Sequence, residues 1–197
     1  MAHAVISEPH ATPTWQGITT LKFAWWLFLA SEVMFFAGLI AAYIVLRAGS
    51  PVWPIVSEVL NVPLVAGNTF ILIVSSVTMV QAYAGIQAGN QSQLRNMLLA
   101  TTALGIIFLG IQAFEWSALL REGETAQSSL FGATFYTLTG FHGLHVTGGV
   151  VGLVFVTLKA FRAGYTQAEH GGVELMGLYW HFVDVVWIIL FTIVYLI

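Results

Sequence analysis

Residues 22–47 read KFAWWLFLASEVMFFAGLIAAYIVLR, a run that begins and ends on a basic residue and holds one acidic residue, Glu32, between them. A helix needs about 20 mainly apolar residues to cross the hydrocarbon core of a membrane. This run is long enough and apolar enough to do so. It therefore predicts a transmembrane helix.

Four further apolar runs of similar length follow along the chain, at about residues 63–89, 95–120, 128–158 and 172–197. The connectors between them hold turn-forming residues and most of the charge, and none is long enough for a separate soluble domain. We expect an all-α integral membrane protein, a bundle of five transmembrane helices over residues 22–197. Residues 1–21 are expected to form a flexible N-terminal tail.

The composition agrees with a membrane protein and excludes several other classes. Hydrophobic residues make up 58% of the chain and charged residues 8%, whereas a soluble domain carries about 25% charged residues. The net charge of −3 and the scattered basic residues give no indication of a nucleic-acid partner. The chain has no cysteine, which excludes disulfides, thiolate metal sites, iron–sulfur clusters and covalent c-type haem.

Basic residues near the helix ends predict the orientation. Four of them fall at one end of the bundle and two at the other, and the richer end is normally cytoplasmic. We therefore expect the N-terminus in the cytoplasm and the C-terminus outside. The four are Lys22, Arg95, Lys159 and Arg162, and the two are Arg47 and Arg121.

Small residues at four-residue spacing indicate helix packing, because they let backbones approach closely in lipid. The first span carries Ala37, Gly38, Ala41 and Ala42, and the fourth carries glycines at 148 and 152. Spacing alone does not say whether the neighbouring helices belong to this chain or to a partner.

Ionisable residues inside the spans are the candidate site, because each costs about 2.5–3.5 kcal/mol at the bilayer centre unless it finds a partner. A rise of 1.5 Å per residue places Glu32, His145, His181 and Asp184 about 14–20 Å deep, near the midplane, and His142 about one turn nearer the outer face. His142 and His145 share a helix face, as do His181 and Asp184. A bundle could bring Glu32, one of these imidazoles and Asp184 together.

Three interpretations of these residues stay open at this point: a polar cluster that fixes helix register, a proton-handling site, and a metal or haem site. Against the last, no Glu-x-x-His pair recurs on two helices, as a di-iron bundle requires. We hypothesise that Glu32 is protonated at neutral pH and hydrogen-bonded to His145. Gln112 and Glu115 lie nearer the end of the third span and are read as helix-end polar residues.

Five short strings, one in each span, resemble the subunit III family of haem-copper respiratory oxidases, in its short five-span bacterial form. They are distributed across about residues 22–197, and their order along the chain makes the resemblance specific. They are WLFLASEVMFFAGL (26–39), LNVPLVAGNT (60–69), LGIQAFEW (109–116), TGFHGLHVTGG (139–149) and LYWHFVDVVWIILF (178–191).

The resemblance implies a chain without catalytic, cofactor or metal residues of its own, in a bacterial plasma membrane. It implies that the partner, oxidase subunit I, holds the haem and copper that reduce oxygen to water, with subunit II and a small subunit IV in the same complex. The implied work is to stabilise subunit I, support proton uptake and bind phospholipid in a cleft. The acid at the Glu32 position is the carbodiimide-reactive carboxyl of the family.

The chain departs from many members, which have seven spans, because it begins at what resembles the third. The first two helices of those members form one wall of the lipid cleft, so here that wall is either missing or supplied by another subunit. Two other functions remain open: an accessory protein of a nitric oxide reductase or quinol oxidase, and an independent proton-coupled transporter that uses Glu32, His145 and Asp184. The continuous spans without inverted repeats argue against the transporter.

Overall fold

The computed structural model describes residues 14, 15 and 18–197, and in this part of the chain five long helices are apolar enough to cross a membrane. The predicted five-span bundle is confirmed for these residues, and its orientation stays a prediction. The helices are α1 (Thr20–Gly49), the short α2 (Val56–Val59), α3 (Val62–Gln87), α4 (Gln91–Arg121), α5 (Leu130–Phe161) and α6 (Gly171–Phe191). A π-helical turn, Thr192–Leu196, continues α6.

A two-residue antiparallel ladder, which the sequence pattern did not indicate, precedes the first helix. It pairs β1 (Thr14–Trp15) with β2 (Ile18–Thr19). The helix then starts two residues before the predicted Lys22, because the Thr19 side chain accepts a hydrogen bond from the Lys22 amide and caps the helix. The flexible tail expected over residues 1–21 falls mostly outside the described residues and stays a prediction.

Local capping sets the other helix ends. Asn61, Asn90 and Ser129 each accept a hydrogen bond from the backbone amide three residues further on, at the start of α3, α4 and α5. Gly89 and Gly123 follow the ends of α3 and α4 with φ of 74° and 87°, which a residue with a side chain rarely adopts. The α4 helix therefore begins at Gln91, four residues before the predicted Arg95.

The α6 helix is the centre of the bundle, since it packs against α1, α3 and α5, while α4 packs between α3 and α5. Its Trp180 is 1% exposed and lies over two glycines of neighbouring helices. A Cβ atom on Gly105 would lie 2.7 Å from the indole, and one on Gly149 would lie 2.9 Å from it. Only glycine leaves room for this ring.

Hydroxyl groups join the helices at membrane depth. Thr78 of α3 and Thr101 of α4 lie 2.8 Å apart through their oxygens, and Thr102 of α4 and Thr157 of α5 lie 3.2 Å apart. The hydroxyls of Thr78, Thr101 and Thr102 can bond either across the helix boundary or to a carbonyl oxygen of their own helix.

The α1 helix is held at the edge of the bundle. Its buried residues are Leu29, Phe36 and Tyr43, spaced by seven, and they lie on the side that faces α5 and α6. The predicted small-residue stretch from Ala37 to Ala42 instead includes exposed positions, whereas Gly152 of α5 packs against α6. Gly152 of α5 therefore serves packing within this chain, whereas the small residues of α1 lie exposed.

Candidate functional site

Glu32 of α1 and His145 of α5 form a polar contact at membrane depth that joins the outermost helix to the bundle. Oε2 of Glu32 lies 2.9 Å from Nε2 of His145, and 19% of each side chain is accessible. The rings of Phe35 and Phe36 lie 6.1 and 5.0 Å from the imidazole. The hydrogen bond expected between the acid and His145 is therefore present, in an aromatic and apolar setting.

The hydrogen bond of the other ring nitrogen of His145 bears on where the protons of this contact lie. Nδ1 lies 2.6 Å from the backbone oxygen of Phe141, a group that only accepts, so Nδ1 carries the hydrogen. In the neutral imidazole Nε2 is then the acceptor, and the hydrogen bond at 2.9 Å needs a proton from Glu32. The contact thus needs one proton between Oε2 of Glu32 and Nε2 of His145, carried by either side chain.

His142, one turn before His145, lies in an aromatic cage. It is 1% exposed and stacks on Trp187 with ring centroids 4.8 Å apart. The rings of Phe36 and Phe108 meet it at steep angles, with centroids 6.4 and 6.2 Å away. Neither ring nitrogen has a hydrogen-bond partner among the described residues. The imidazole packs as a flat ring here and makes no polar contact with the Glu32 pair.

His181 and Asp184 of α6 are joined through a serine of α3 that sequence reasoning did not single out. Oγ of Ser76 donates to Oδ2 of Asp184 at 2.7 Å, and Nδ1 of His181 lies 3.2 Å from the same Oγ. Asp184 is 6% exposed, and its second carboxyl oxygen is buried without a partner among the described residues. This is a second polar contact, separate from the first.

The expectation that Glu32, an imidazole and Asp184 meet in one place is therefore wrong. The hydrogen bonds of Glu32 go to α5 and those of Asp184 go to α3. Glu32 and Asp184 lie at similar depth along α1 and α6. The face of α6 that carries Asp184, however, lies against α3. Depth can be read from sequence, whereas the neighbour of a face requires the packed bundle.

Gln112 and Glu115 form a third contact, and calling them helix-end residues understates their burial. Glu115 is 4% exposed and Gln112 is 6% exposed. Oε2 of Glu115 accepts hydrogen bonds from Nε2 of Gln112 and from the hydroxyl of Tyr195, each at 3.1 Å. The contact links α4 to the π-helical turn at the end of the chain, and it contains no basic side chain.

An ion pair that the sequence did not indicate lies at the end of the bundle where α1 and α6 begin. Nζ of Lys22, at the start of α1, contacts Oε1 of Glu174, at the start of α6. The indole of Trp25 also donates to the backbone oxygen of Leu175 at 3.0 Å. Odd-numbered spans begin on the same side of a membrane, so the order of the spans was the signal that could have found this pair.

The described residues contain no group of three or more histidines and acids placed to hold a metal ion. The polar side chains instead occupy one another across helix boundaries, α1 with α5, α3 with α6, and α4 with the end of the chain. This arrangement can hold the helices in register, and its side chains can accept and release protons.

Comparison with known proteins bears on the whole chain. The family model described as Cytochrome c oxidase subunit III matches residues 2–197. A relative from Mycobacterium leprae (strain TN), named probable cytochrome c oxidase subunit 3, is 40% identical over 98% of this chain and 95% of its own length. A cytochrome c oxidase subunit 3 from Corynebacterium diphtheriae is 41% identical over 87% of this chain and 85% of its own. A cytochrome c oxidase subunit 3 from Synechocystis is 44% identical over 86% of this chain and 72% of its own length.

Proposed function

The chain belongs to the cytochrome c oxidase subunit III family, and from this we propose that it is the non-catalytic third subunit of a bacterial haem–copper terminal oxidase. The match over the whole chain carries the proposal. Subunit I is its main contact and holds the haem and copper that reduce oxygen, and subunit II and a small subunit IV complete the complex. This chain stabilises subunit I during turnover.

Three polar contacts support a role in holding structure. Each joins groups that would be costly alone in hydrocarbon, and each joins different helices. They are Glu32 with His145, Ser76 with His181 and Asp184, and Glu115 with Gln112 and Tyr195. A bundle fixed in this way offers the catalytic subunit a surface of constant shape.

The Glu32–His145 contact also suits support of proton uptake. The proton that the two side chains share can move between Oε2 of Glu32 and Nε2 of His145 without a heavy atom leaving the contact. Since 19% of each side chain stays accessible, the pair can exchange that proton with a neighbouring group. Glu32 is protonated at neutral pH in this proposal.

Lipid binding finds support in two adjoining cavities that share Leu21. A cavity of about 380 Å³ between α1, α5 and α6 is lined by apolar and aromatic side chains, including Trp25 and Phe28. A cavity of about 660 Å³ at the helix ends is lined by both Lys159 and Glu169. An acyl chain fits the first cavity, and a polar headgroup fits the second.

In this proposal the chain lies in a bacterial plasma membrane with its N-terminus in the cytoplasm. Arg95 and the end of α5 lie at one end of the bundle, where Nε of Arg95 donates to the oxygen of Ala160 at 3.1 Å. Lys22, Lys159 and Arg162 belong to the same end. Four basic residues there against two at the other end favour a cytoplasmic side.

Purification of the complex through a tag on this chain tests the proposal. Intact-mass spectrometry should identify oxidase subunits I and II in equal amounts with the tagged chain, together with retained phospholipid. The tagged chain, separated from them, should show no Soret absorbance. Recovery of the chain alone, or with a nitric oxide reductase, would contradict the proposal, as would a stoichiometric haem band on the isolated chain.

A further inference from the structure

The α1 helix contacts two different helices along one of its faces. Near its start it lies against α6, where the indole of Trp25 donates to the backbone oxygen of Leu175 at 3.0 Å. Further along, the carboxyl group of Glu32 reaches the imidazole of His145 on α5. Trp25 and Glu32 are about two helical turns apart, so α1 passes from α6 to α5 between these two residues.

Tyr179 of α6 lies at this crossing and contacts both of the other helices. Its ring stacks on that of Phe28, with centroids 6.3 Å apart and planes inclined by 16°, and Phe28 precedes Glu32 by one turn of α1. The hydroxyl of Tyr179 donates to the backbone oxygen of His145 at 3.0 Å. One side chain of α6 therefore contacts α1 beside the acid and α5 at the histidine itself.

Two glycines of α5 leave room for this tyrosine. A Cβ atom on Gly149 would lie 3.3 Å from the ring of Tyr179, and one on Gly148 would lie 3.7 Å from its hydroxyl oxygen. A carbonyl oxygen has two lone pairs, so that of His145 can accept from the tyrosine as well as from an amide of its own helix. The close approach of α6 to α5 thus brings the hydroxyl to the carbonyl without breaking the helix.

The position of the α5 backbone at His145 determines the length of the contact between the acid and the imidazole. Nδ1 of His145 bonds the backbone oxygen of Phe141 on the same helix, so the ring moves together with α5. Nε2 lies 2.9 Å from Oε2 of Glu32 on α1. Because hydrogen bonds of this kind span about 2.7–3.2 Å, a displacement of α5 against α1 by about half an ångström is enough to weaken the contact.

We propose that Tyr179 is a positioning residue for the Glu32–His145 contact, and that it sets the spacing between α1 and α5 through its ring stack on Phe28 and its hydrogen bond to the His145 backbone. The hydroxyl donates to a carbonyl oxygen, which only accepts, so Tyr179 does not itself exchange the proton. The inference rests on the proposed function, because it adds a third residue to the pair that supports proton uptake.

Infrared difference spectra of the intact complex test the positioning role. The band of the Glu32 side chain, in either protonation state, is the one that Glu32→Gln removes. Tyr179→Phe should lengthen the contact and move this band to higher frequency, because a carboxyl group with a weaker hydrogen bond has a stiffer carbonyl bond. Tyr136→Phe is the matched control, since it removes a hydroxyl that donates to the backbone oxygen of Glu124 at 2.8 Å. It should leave the band in place.

A second substitution tests the same role from α1 and leaves the hydroxyl intact. Phe28→Leu removes the ring on which Tyr179 stacks and should move the band in the same direction. Phe155→Leu, at a position on α5 that is 68% exposed, is its control and should not. An unchanged band in Tyr179→Phe, or equal movement in the controls, would overturn the positioning role. Phe28→Leu decides in the same way if Tyr179→Phe does not assemble.

Turnover of the complex separates this inference from the proposed function. Tyr179→Phe should keep the initial rate of oxygen reduction and inactivate after several-fold fewer turnovers, whereas Tyr136→Phe should match the wild type. A moved band with an unchanged number of turnovers would leave the positioning role standing and contradict support of proton uptake by Glu32 and His145. An unmoved band would overturn the positioning role and leave the proposed function standing.

Discussion

The indole of Trp187 stacks on the imidazole of His142, with ring centroids 4.8 Å apart and planes inclined by 25°. The same indole donates through its Nε1 to the hydroxyl of Thr69 at 2.9 Å. One side chain of α6 thus contacts α5 through its face and α3 through its edge. The relationship shows how this chain uses polar residues in its spans, as ties between helices.

The strength of the hydrogen bond between Trp187 and Thr69 can be measured directly. A double-mutant cycle of Trp187→Phe and Thr69→Val should give a coupling free energy of about 0.6 kcal/mol, the average for hydrogen bonds between membrane helices, and at most about 1.7 kcal/mol. Unfolding of the purified chain in mixed micelles provides the free energies. A coupling indistinguishable from zero would show that the hydrogen bond does not stabilise the bundle.

His142 should tolerate replacement by phenylalanine. Because neither ring nitrogen has a partner among the described residues, His142→Phe fills the same aromatic cage and should leave the free energy of unfolding unchanged or raise it. His142→Ala leaves a cavity and should cost about 2–5 kcal/mol. A loss of stability or of complex assembly in His142→Phe would show that the imidazole nitrogens make a contact that stabilises the protein or the complex.

Gly105 provides a test of the close approach to Trp180. Gly105→Ala puts a Cβ atom 2.7 Å from the indole, and overpacking of this kind costs about 1–3 kcal/mol. Gly110 lies on the same helix with nothing within 4 Å of the corresponding Cβ position, so Gly110→Ala is the matched control and should not destabilise. Thermal unfolding of the two variants compares them, and equal midpoints would contradict the packing.

The Glu115 contact should hold a neutral carboxyl. The acid is 4% exposed, and its partners among the described residues are Gln112 and Tyr195, which donate hydrogens and carry no positive charge. Infrared spectra at neutral pH should contain a carbonyl stretch of a protonated acid that Glu115→Gln removes and Tyr195→Phe shifts. A spectrum unchanged by both substitutions would contradict the assignment.

The spans are predictable from the sequence because apolar length is a local property, and the Glu32–His145 contact is predictable because ionisable groups at similar depth need partners. The contacts of Ser76, Thr69 and Tyr195 are not, since hydroxyl residues are cheap in a helix and carry no signal of their own. Tyr195 reaches Glu115 from a π-helical turn. No periodicity in the sequence indicated that turn.

Glu115 illustrates the limit of arguments from depth. Counted from the predicted end of its span, it lies near the membrane surface, where a carboxylate is easily solvated. The helix continues to Arg121, and the face that carries Glu115 turns inward against the end of the chain. Burial depends on the direction of a face, which the packed neighbours decide.

The central claim is that this chain supports oxygen reduction without taking part in it, and Glu32→Gln in the intact oxidase tests it most directly. The amide can still donate to Nε2 of His145, but it cannot give up a proton, so the contact survives without proton exchange. We expect an initial rate of oxygen reduction close to that of the wild type, followed by inactivation after several-fold fewer turnovers. A complete and immediate loss of oxygen reduction, in a complex that still holds all its subunits and haems, would contradict the account.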